Sequence, residues 1–368
     1  MAGVIVHEWI AQAGGSENVV QAMSDIYPDA EIVCLWNDST GRFPPERVRE
    51  SWLARSPLRR SKAVALPFMP LTWRKQRNLD YDWALISSHL FAHHVRFNPQ
   101  PDGFRRYVYV HTPARYIWAP HLDGRGAGPA ARTLAAALRP LDRRRAQQPA
   151  LYAANSEFVR QRIGDAWGVD SHVIYPPVEV TEIQRVSDWR DELTSAEATI
   201  LEALPHDYVL GASRFVSYKR LDLVIKVGEA ADLPVVLAGR GPEEASLRAA
   251  AEAASVPVHF VDHPSSALLY ALYQQAGVFV FPAIEDFGIM PVEAMAAGAA
   301  VLAQAVGGTA ESVVPGATGA LCEFESKDSM RAGVELAASS DPVDRRERAR
   351  QFSAERFNGE IRDWVQDS

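Results

Sequence analysis

Residues 278–298 read Val278-Phe279-Val280-Phe281-Pro282-Ala283-Ile284-Glu285-Asp286-Phe287-Gly288-Ile289-Met290-Pro291-Val292-Glu293-Ala294-Met295-Ala296-Ala297-Gly298. Four apolar residues before a proline predict a short buried strand. An irregular loop then carries Glu285, and Pro291 opens a helix with Glu293 in its first turn. Backbone amides at Gly288–Met290 would sit at the positive end of that helix and suit an anion. Glu293 has a plain structural explanation, because an acid in the first turn satisfies the helix dipole. Glu285, ahead of a glycine in an apolar loop, has none. Carboxylates accept hydrogen bonds from pairs of hydroxyls, as on a sugar or a ribose.

The same strand, loop and helix recur outward from this stretch in both directions. Apolar runs at 4–7, 31–35, 83–87, 107–111, 150–155 and 172–175 predict one set of buried strands. Runs at 208–212, 235–238, 258–261, 278–281 and 300–303 predict a second, each followed by a helical stretch. Alternation of this kind means parallel sheets covered by helices on both faces. The chain thus divides into two Rossmann-like halves that meet near Tyr175-Pro176-Pro177-Val178, where the prolines hold an extended connection. The expected domains are 1–178, 179–350 and a C-terminal helix, 351–368, packing back on the first. A helix over 187–204 should open the second half. The amphipathic pattern over 344–366 carries Phe352, Phe357, Ile361 and Trp364 and must bury them.

Length and composition agree. The chain has 368 residues, 47% hydrophobic and 23% charged, which fits a two-domain globular protein and excludes bulk disorder, collagen and coiled coil. Lys plus Arg number 38 against 46 Asp plus Glu, a net charge of 38 − 46 = −8. Cys34 and Cys322 lie too far apart in sequence to suggest a disulfide framework or a cysteine metal site. No apolar run approaches the roughly 20 residues of a membrane span, and no basic region precedes the first strand. These features predict a reduced, cytoplasmic protein. Between Arg47 and Arg77, however, nine basic residues stand against Glu50 alone, interleaved with Trp52, Leu53, Phe68, Met69, Leu71 and Trp73. That pattern fits either a face meeting an anionic membrane surface or a solvated helix face. Nucleic acid is disfavoured by the net charge and the lack of a recognition motif.

In open α/β sheets ligands bind beyond the carboxyl ends of the strands, so chemistry is sought there. The first such loop runs from His7-Glu8-Trp9 to Gly14-Gly15-Ser16-Glu17, with a glycine pair that admits close approach ahead of a helix. It is not the dinucleotide fingerprint, which argues against NAD. Arg214 and Lys219 precede a helix whose dipole they oppose, at up to about 1 kcal/mol, and a bound diphosphate would reverse that sign. The alternative is an exposed pair whose stems cover apolar surface. Gly239-Arg240-Gly241-Pro242 and Val306-Gly307-Gly308-Thr309 are further strand-to-helix turns.

Together these stretches resemble the retaining glycosyltransferases of family 4, which have the GT-B fold: two Rossmann-like domains facing each other across a cleft. The resemblance rests on His7-Glu8-Trp9 with Gly14-Gly15-Ser16-Glu17, Tyr109-Val110-His111-Thr112-Pro113, Ala154-Asn155-Ser156, Ile174-Tyr175-Pro176-Pro177-Val178, Arg214 with Lys219-Arg220, and Glu285 to Glu293. The opening and the Tyr-Val-His-Thr-Pro stretch look most like bacterial mannosyltransferases of polysaccharide or glycolipid assembly. The resemblance implies that Arg214 and Lys219 neutralise the donor diphosphate, that Glu285 binds the donor sugar and that Glu293 binds the ribose. It places Gly14, Gly15, Gly239, Arg240, Phe287, Gly288, Ile289 and Met290 around the donor, and His111 beside the reacting carbon. It implies retention of configuration by front-face departure and attack, with no covalent nucleophile.

The expected donor is GDP-mannose, with a UDP-linked glucose or N-acetylglucosamine as the alternative. A phosphorylase, an epimerase and a nucleotide-sugar-binding subunit without turnover are the readings outside this class. The acceptor, a glycan, a lipid-linked sugar or a small molecule, should meet His7, Trp9, His89, Arg115 and Tyr116, with Trp118 nearby. No cofactor and no metal are expected. Asp80-Tyr81-Asp82 has the three-letter pattern of manganese-dependent transferases but precedes its strand, at the wrong end, and His93 and His94 read as structural. The resulting picture is a cytoplasmic enzyme, peripheral on the inner face of the membrane through residues 47–77.

Overall fold

The computed structural model describes residues 2–12, 14–39, 41–120 and 128–366, with backbone alone at 129–131. Its strands, in chain order, are β1 (Gly3–His7), β2 (Glu31–Cys34), β3 (Val48–Glu50), β4 (Gln76–Arg77), β5 (Trp83–Ser88), β6 (Phe97–Asn98), β7 (Arg105–Val110), β8 (Leu151–Ala154), β9 (His172–Val173), β10 (Val209–Ala212), β11 (Val235–Ala238), β12 (Val258–Val261), β13 (Val278–Phe281), β14 (Val301–Gln304) and β15 (Gly319–Cys322). The chain divides into two compact units, one of Met1–Pro177 with Glu355–Ser368 and one of Val178–Ala354.

The first unit holds a seven-stranded sheet in the order β3-β2-β1-β5-β7-β8-β9, every pair parallel. The second holds six parallel strands in the order β12-β11-β10-β13-β14-β15. Strands covered on both faces read as continuous apolar runs, which is why VLGA, VVLA and VFVF are buried at every residue. In each unit the order reverses beside the first strand: β1 lies between β2 and β5, and β10 between β11 and β13. Helices leave opposite faces on either side of such a reversal and open a crevice at the carboxyl edge.

Some expectations are corrected. The stretch 187–204 is not one helix but a 3-10 turn, Trp189–Glu192, followed by the helix Ser195–Glu202 with a Thr194/Glu197 capping box. The pattern over 344–366 breaks into helices Pro342–Arg350 and Ala354–Gln366. Between them the Phe352 carbonyl accepts from Val178 N (3.1 Å) and Ala354 N donates to the Val178 carbonyl (3.0 Å). The chain therefore leaves the second unit after Ala354, not at 350. The last helix buries Phe357, Ile361, Trp364 and Val365 against Ile5, Tyr107 and Tyr109 of the first unit. Each such side chain contributes about 1.5–3 kcal/mol on burial. β3, β15 and the two-residue pair β4/β6 were not anticipated.

One buried carboxylate ties four elements of the first unit. Asp142, in the helix Pro129–Ala146, accepts from the indole Nε1 of Trp118 (2.7 Å) and of Trp167 (2.8 Å), and from His94 Nε2 (2.9 Å). His93 Nε2 lies 3.1 Å from the same oxygen as His94. Burial works against its charge, and His93 and His94 outweigh burial to hold it well below the carboxylate range. Replacing one member of such a group leaves buried donors unpaired. Asp142→Asn is expected to lower stability by about 3 kcal/mol, read by denaturant melts. A loss below about 1 kcal/mol would contradict this account of the core.

Candidate functional site

The site of the second unit forms where β10 and β13 end. After β10 the chain runs through Ser213 and Arg214 into a 3-10 turn, Ser217–Lys219, and Arg220 in the left-handed region (φ 52) starts the helix Leu221–Ala231. Lys219 Nζ lies 2.6 Å from Glu285 Oε1, and both side chains are mostly covered. The lysine that opposes the helix dipole thus already has a carboxylate partner from the loop after β13. Arg214 stays exposed and donates from Nη2 to the Tyr218 hydroxyl (3.0 Å).

Two backbone interlocks hold these loops. Phe215 N donates to the Arg240 carbonyl (2.9 Å), and Glu243 N donates to the Phe215 carbonyl (3.0 Å). At Gly239 (φ 135) a Cβ would lie 2.0 Å from the Ser213 carbonyl, so only glycine lets the loops after β10 and β11 come together. The second interlock joins 285–288 to the turn after β14: Gly308 N donates to the Glu285 carbonyl (2.9 Å), and a Cβ on Gly288 (φ 91) would meet Thr309 Oγ1 at 2.4 Å. The glycines at 239, 288 and 307–308 therefore fix where Arg214, Lys219 and Glu285 stand.

A cavity of about 570 Å³ opens among these loops, lined by Ser213, Arg214, Lys219, Gly239, Arg240, His263, Pro264, Leu269 and Met290 among others. His263, Pro264 and Leu269 were missed by the sequence reading. The available signal was position, since they follow β12 at the same carboxyl edge. Phe287 and Gly288 belong to the adjoining loop and Ile289 starts the helix after it, with Phe287 buried against Phe352 (ring centroids 5.5 Å).

Glu293 requires a correction. The helix opens at Ile289 after Gly288, so its first turn holds no acid and Glu293 lies in the second turn. It is not a dipole cap. Burial raises its carboxyl to about 7, close to Tyr270 and Tyr273. Its folded-state value lies above that of the unfolded chain, so its relative stabilisation is present at low pH and is lost as pH rises through about 7. Glu293→Gln should therefore stabilise the protein at pH 8 by about 1 kcal/mol or more and not at pH 5, read as melting temperatures. An effect equal at both pH values would contradict this.

In the first unit the corresponding edge carries a cluster of imidazoles. The β1–β5 register pairs His7 with Ser87, and His111 follows β7 with its N–H on the Ser88 carbonyl (2.9 Å). Ser87 Oγ lies 3.1 Å from His7 Nδ1 and 2.8 Å from His111 Nε2. Glu17, in the first turn of the helix Gly15–Ile26, has an oxygen 4.0 Å from His7 Nε2 and accepts from Ala11 N (3.2 Å) and Ser16 Oγ (2.9 Å). Burial would raise its carboxyl, but His7 and Ser16 bring it down to about 2. Gly14 leaves room for this carboxylate, because a Cβ there would meet Glu17 Oε2 at 2.2 Å. Glu8, fully buried, accepts from Leu90 N (2.9 Å) and Ala92 N (2.7 Å) and holds the loop after β5; burial raises its carboxyl.

Several expected acceptor residues are corrected here. His7 is 0% exposed and Trp9 7%, so neither side chain offers a ligand surface. Trp36 stacks on Trp9 (5.5 Å, 10°), Lys62 Nζ stands 4.0 Å over its ring and His89 meets it edge-on (4.8 Å). Trp118 is committed to Asp142. His89 and His111 keep partial exposure; burial lowers both, His111 to about 3, so both rings are neutral near pH 7. Arg115 and Tyr116 lie half-buried in the short helix Arg115–Trp118.

Among the described residues the metal-capable group is His93, His94 and Asp142, whose carboxylate already receives the three hydrogen bonds given above. Asp82 Oδ2 accepts from Ala2 N (2.7 Å), and Asp80 sits in a left-handed turn (φ 62) at the amino end of β5, away from the carboxyl edge.

Comparison with known proteins bears on the fold. Residues 199–356 match the family described as Glycosyl transferases group 1. A D-inositol 3-phosphate glycosyltransferase of Mycobacterium avium is 32% identical over 160 residues, which cover 40% of this chain and 36% of that protein. The match thus spans about a third of the curated relative. Among solved structures, HepE of Anabaena in complex with UDP-glucose superposes with a TM-score of 0.71 at 16% identity, covering 100% of both chains. Sucrose-phosphate synthase of Thermosynechococcus elongatus gives 0.72 at 16% identity, covering 100% of this chain and 98% of that one. WaaG, a glycosyltransferase of lipopolysaccharide biosynthesis, gives 0.65 at 13% identity with full coverage of both. The fold is GT-B, with two Rossmann-like parallel sheets.

Proposed function

We propose that the chain is a retaining hexosyltransferase that takes its sugar from a nucleotide diphosphate. The observation that carries this reading is the Lys219–Glu285 pair beside Arg214 at a cavity on the carboxyl edge of β10 and β13. Two cations suit a diphosphate and the charge that grows on it as the leaving group departs. Glu285 accepts hydroxyls of the hexose and Glu293 those of the ribose. Amides of Phe287 to Met290, with Gly239 and Arg240, surround the remainder of the donor. From the first unit, His111, Gly14 and Gly15 contribute to the donor, and His89, Arg115 and Tyr116 to the acceptor. No metal or cofactor enters this reading. It includes a front-face reaction, in which the acceptor oxygen attacks on the side the diphosphate leaves.

GDP-mannose is the donor favoured by the opening and Tyr-Val-His-Thr-Pro stretches. A UDP-hexose is the second reading, supported by the UDP-glucose bound to HepE. A thermal-shift panel of GDP, UDP, ADP and dTDP with their sugar conjugates decides between them. Saturating ligand at a hundredfold excess over Kd stabilises by about 2.7 kcal/mol. Lys219→Ala and Glu285→Ala should each cut turnover by about a hundredfold or more with the fold retained. Unchanged turnover in both, or no shift with any nucleotide, would overturn the assignment.

The same reading includes a glycan or lipid-linked acceptor and a peripheral place on an anionic membrane. Among the described residues no helix is long and apolar enough to cross a membrane. Leu53, Met69 and Trp73 enter the core, whereas Trp52, Val64, Phe68 and Leu71 are exposed. Val64, Phe68 and Leu71 fall in three successive short elements, Lys62–Ala65, the 3-10 turn Leu66–Phe68 and Met69–Trp73, and the Trp52 and Phe68 rings meet at 6.5 Å. Arg55, Arg60, Lys62, Lys75 and Arg77 of the same stretch are exposed as well. Co-sedimentation with phosphatidylglycerol vesicles, absent with phosphatidylcholine and weakened in Phe68→Ser/Leu71→Ser, is the expected result. Equal recovery with both lipids, or an unaffected double variant, would count against it.

A further inference from the structure

Ser87 has a single hydroxyl proton and stands between two imidazole nitrogens, His7 Nδ1 and His111 Nε2. It can donate to one and must accept from the other. The direction follows from the surroundings of His7. Its Nδ1 also lies 3.4 Å from the Ser87 carbonyl oxygen, which only accepts, so Nδ1 carries a hydrogen and donates to both Ser87 oxygens. Its Nε2 stands 4.0 Å from the Glu17 carboxylate, beyond hydrogen-bond reach, so no bond there competes for the ring's hydrogen. The Ser87 hydroxyl, having received from His7, gives its proton to His111 Nε2. His111 is neutral near pH 7, so its one hydrogen is then on Nδ1.

We propose that Ser87 and His7 are positioning residues that hold His111 as its Nδ1–H tautomer, so that this ring meets a ligand as a hydrogen-bond donor. Parallel pairing of β1 with β5 sets His7 against Ser87, and the His111 N–H bond to the Ser88 carbonyl brings the third residue to the same edge. The His7 ring is fully buried and reaches no ligand itself. The consequence for chemistry rests on the transferase reading above. A donor Nδ1–H supports an oxygen of the donor sugar and cannot remove the proton of the attacking hydroxyl, so His111 is excluded as the general base.

The test reads the ring directly. Two-bond nitrogen–proton NMR of histidine-labelled, ligand-free protein at pH 7, with His111 assigned through His111→Gln, reports which nitrogen is protonated. The expected result is Nδ1–H in the wild type, a shift to Nε2–H in Ser87→Ala, which is the form free imidazole prefers, and Nδ1–H restored in Ser87→Thr. Nε2–H in the wild type, or no change in Ser87→Ala, would overturn the proposal. Neither measurement needs activity, so the tautomer stands or falls separately from the transferase reading. In the active enzyme Ser87→Ala should lower kcat about tenfold with the donor KM unchanged, the size of one lost hydrogen bond in the transition state. A rise in KM at unchanged kcat would contradict a positioning role.

Discussion

Parallel strands hydrogen-bond with all their carboxyl ends at one edge, and this single constraint organises both units. Each sheet starts in its middle and grows outward in two directions, so the loops on either side of the first strand part at that edge. In the second unit the ends of these strands then present Arg214 and Lys219 to a common cavity, with Glu285 paired to Lys219 from the loop after β13. In the first unit the ends of β1, β5 and β7 bring His7, Ser87 and His111 together. The chemistry follows from the topology because Glu285 is remote in sequence from Arg214 and Lys219, as His7 is from Ser87 and His111.

Charge at these edges is arranged at the expense of stability. Lys219 stands against a helix dipole and is held by Glu285. Glu293 lies in the second turn of its helix, with its carboxyl raised by burial. Glu17 and His7 form a further buried pair, and Glu8 is bound by backbone amides alone. Core positions filled with apolar residues would cost nothing of this kind. Groups kept charged, or on the point of charging, in half-covered places are what a site for a polyanionic, polyhydroxylated ligand requires. The glycine interlocks serve the same end, since loops that meet backbone to backbone keep those charges in place without a ligand.

Much of this was legible in the sequence. Buried parallel strands are continuous apolar runs, so the strands flanking each switch point were found, and the glycine turns after them marked the edges. Short strands with polar sequences were not: Val48-Arg49-Glu50 pairs through backbone alone, and nothing in its side chains announces it. Helix starts were misplaced where a proline drew attention. Pro291 is the third helical residue, and that shift of two positions removed Glu293 from the first turn and with it the plain explanation of that residue. Aromatic and imidazole groups could be placed at an edge but not assigned a depth. Trp9 and His7 lie in loops and strand ends that read as exposed, yet Trp36, Lys62 and Glu17 cover them from distant parts of the chain. The Asp142 tie was invisible for the same reason, because its donors are contributed by three other elements.

If Lys219 holds the donor diphosphate as proposed, it must give up Glu285 to do so. Calorimetric titration of the free nucleoside diphosphate, without its sugar, into wild type, Lys219→Ala and Glu285→Gln isolates that exchange. Removing the competing carboxylate should leave Kd for the diphosphate equal to or tighter than wild type, whereas removing the ammonium should weaken it by about tenfold or more. A Glu285→Gln variant that loses diphosphate binding as severely as Lys219→Ala would show that the pair acts as one structural unit and contradict the account.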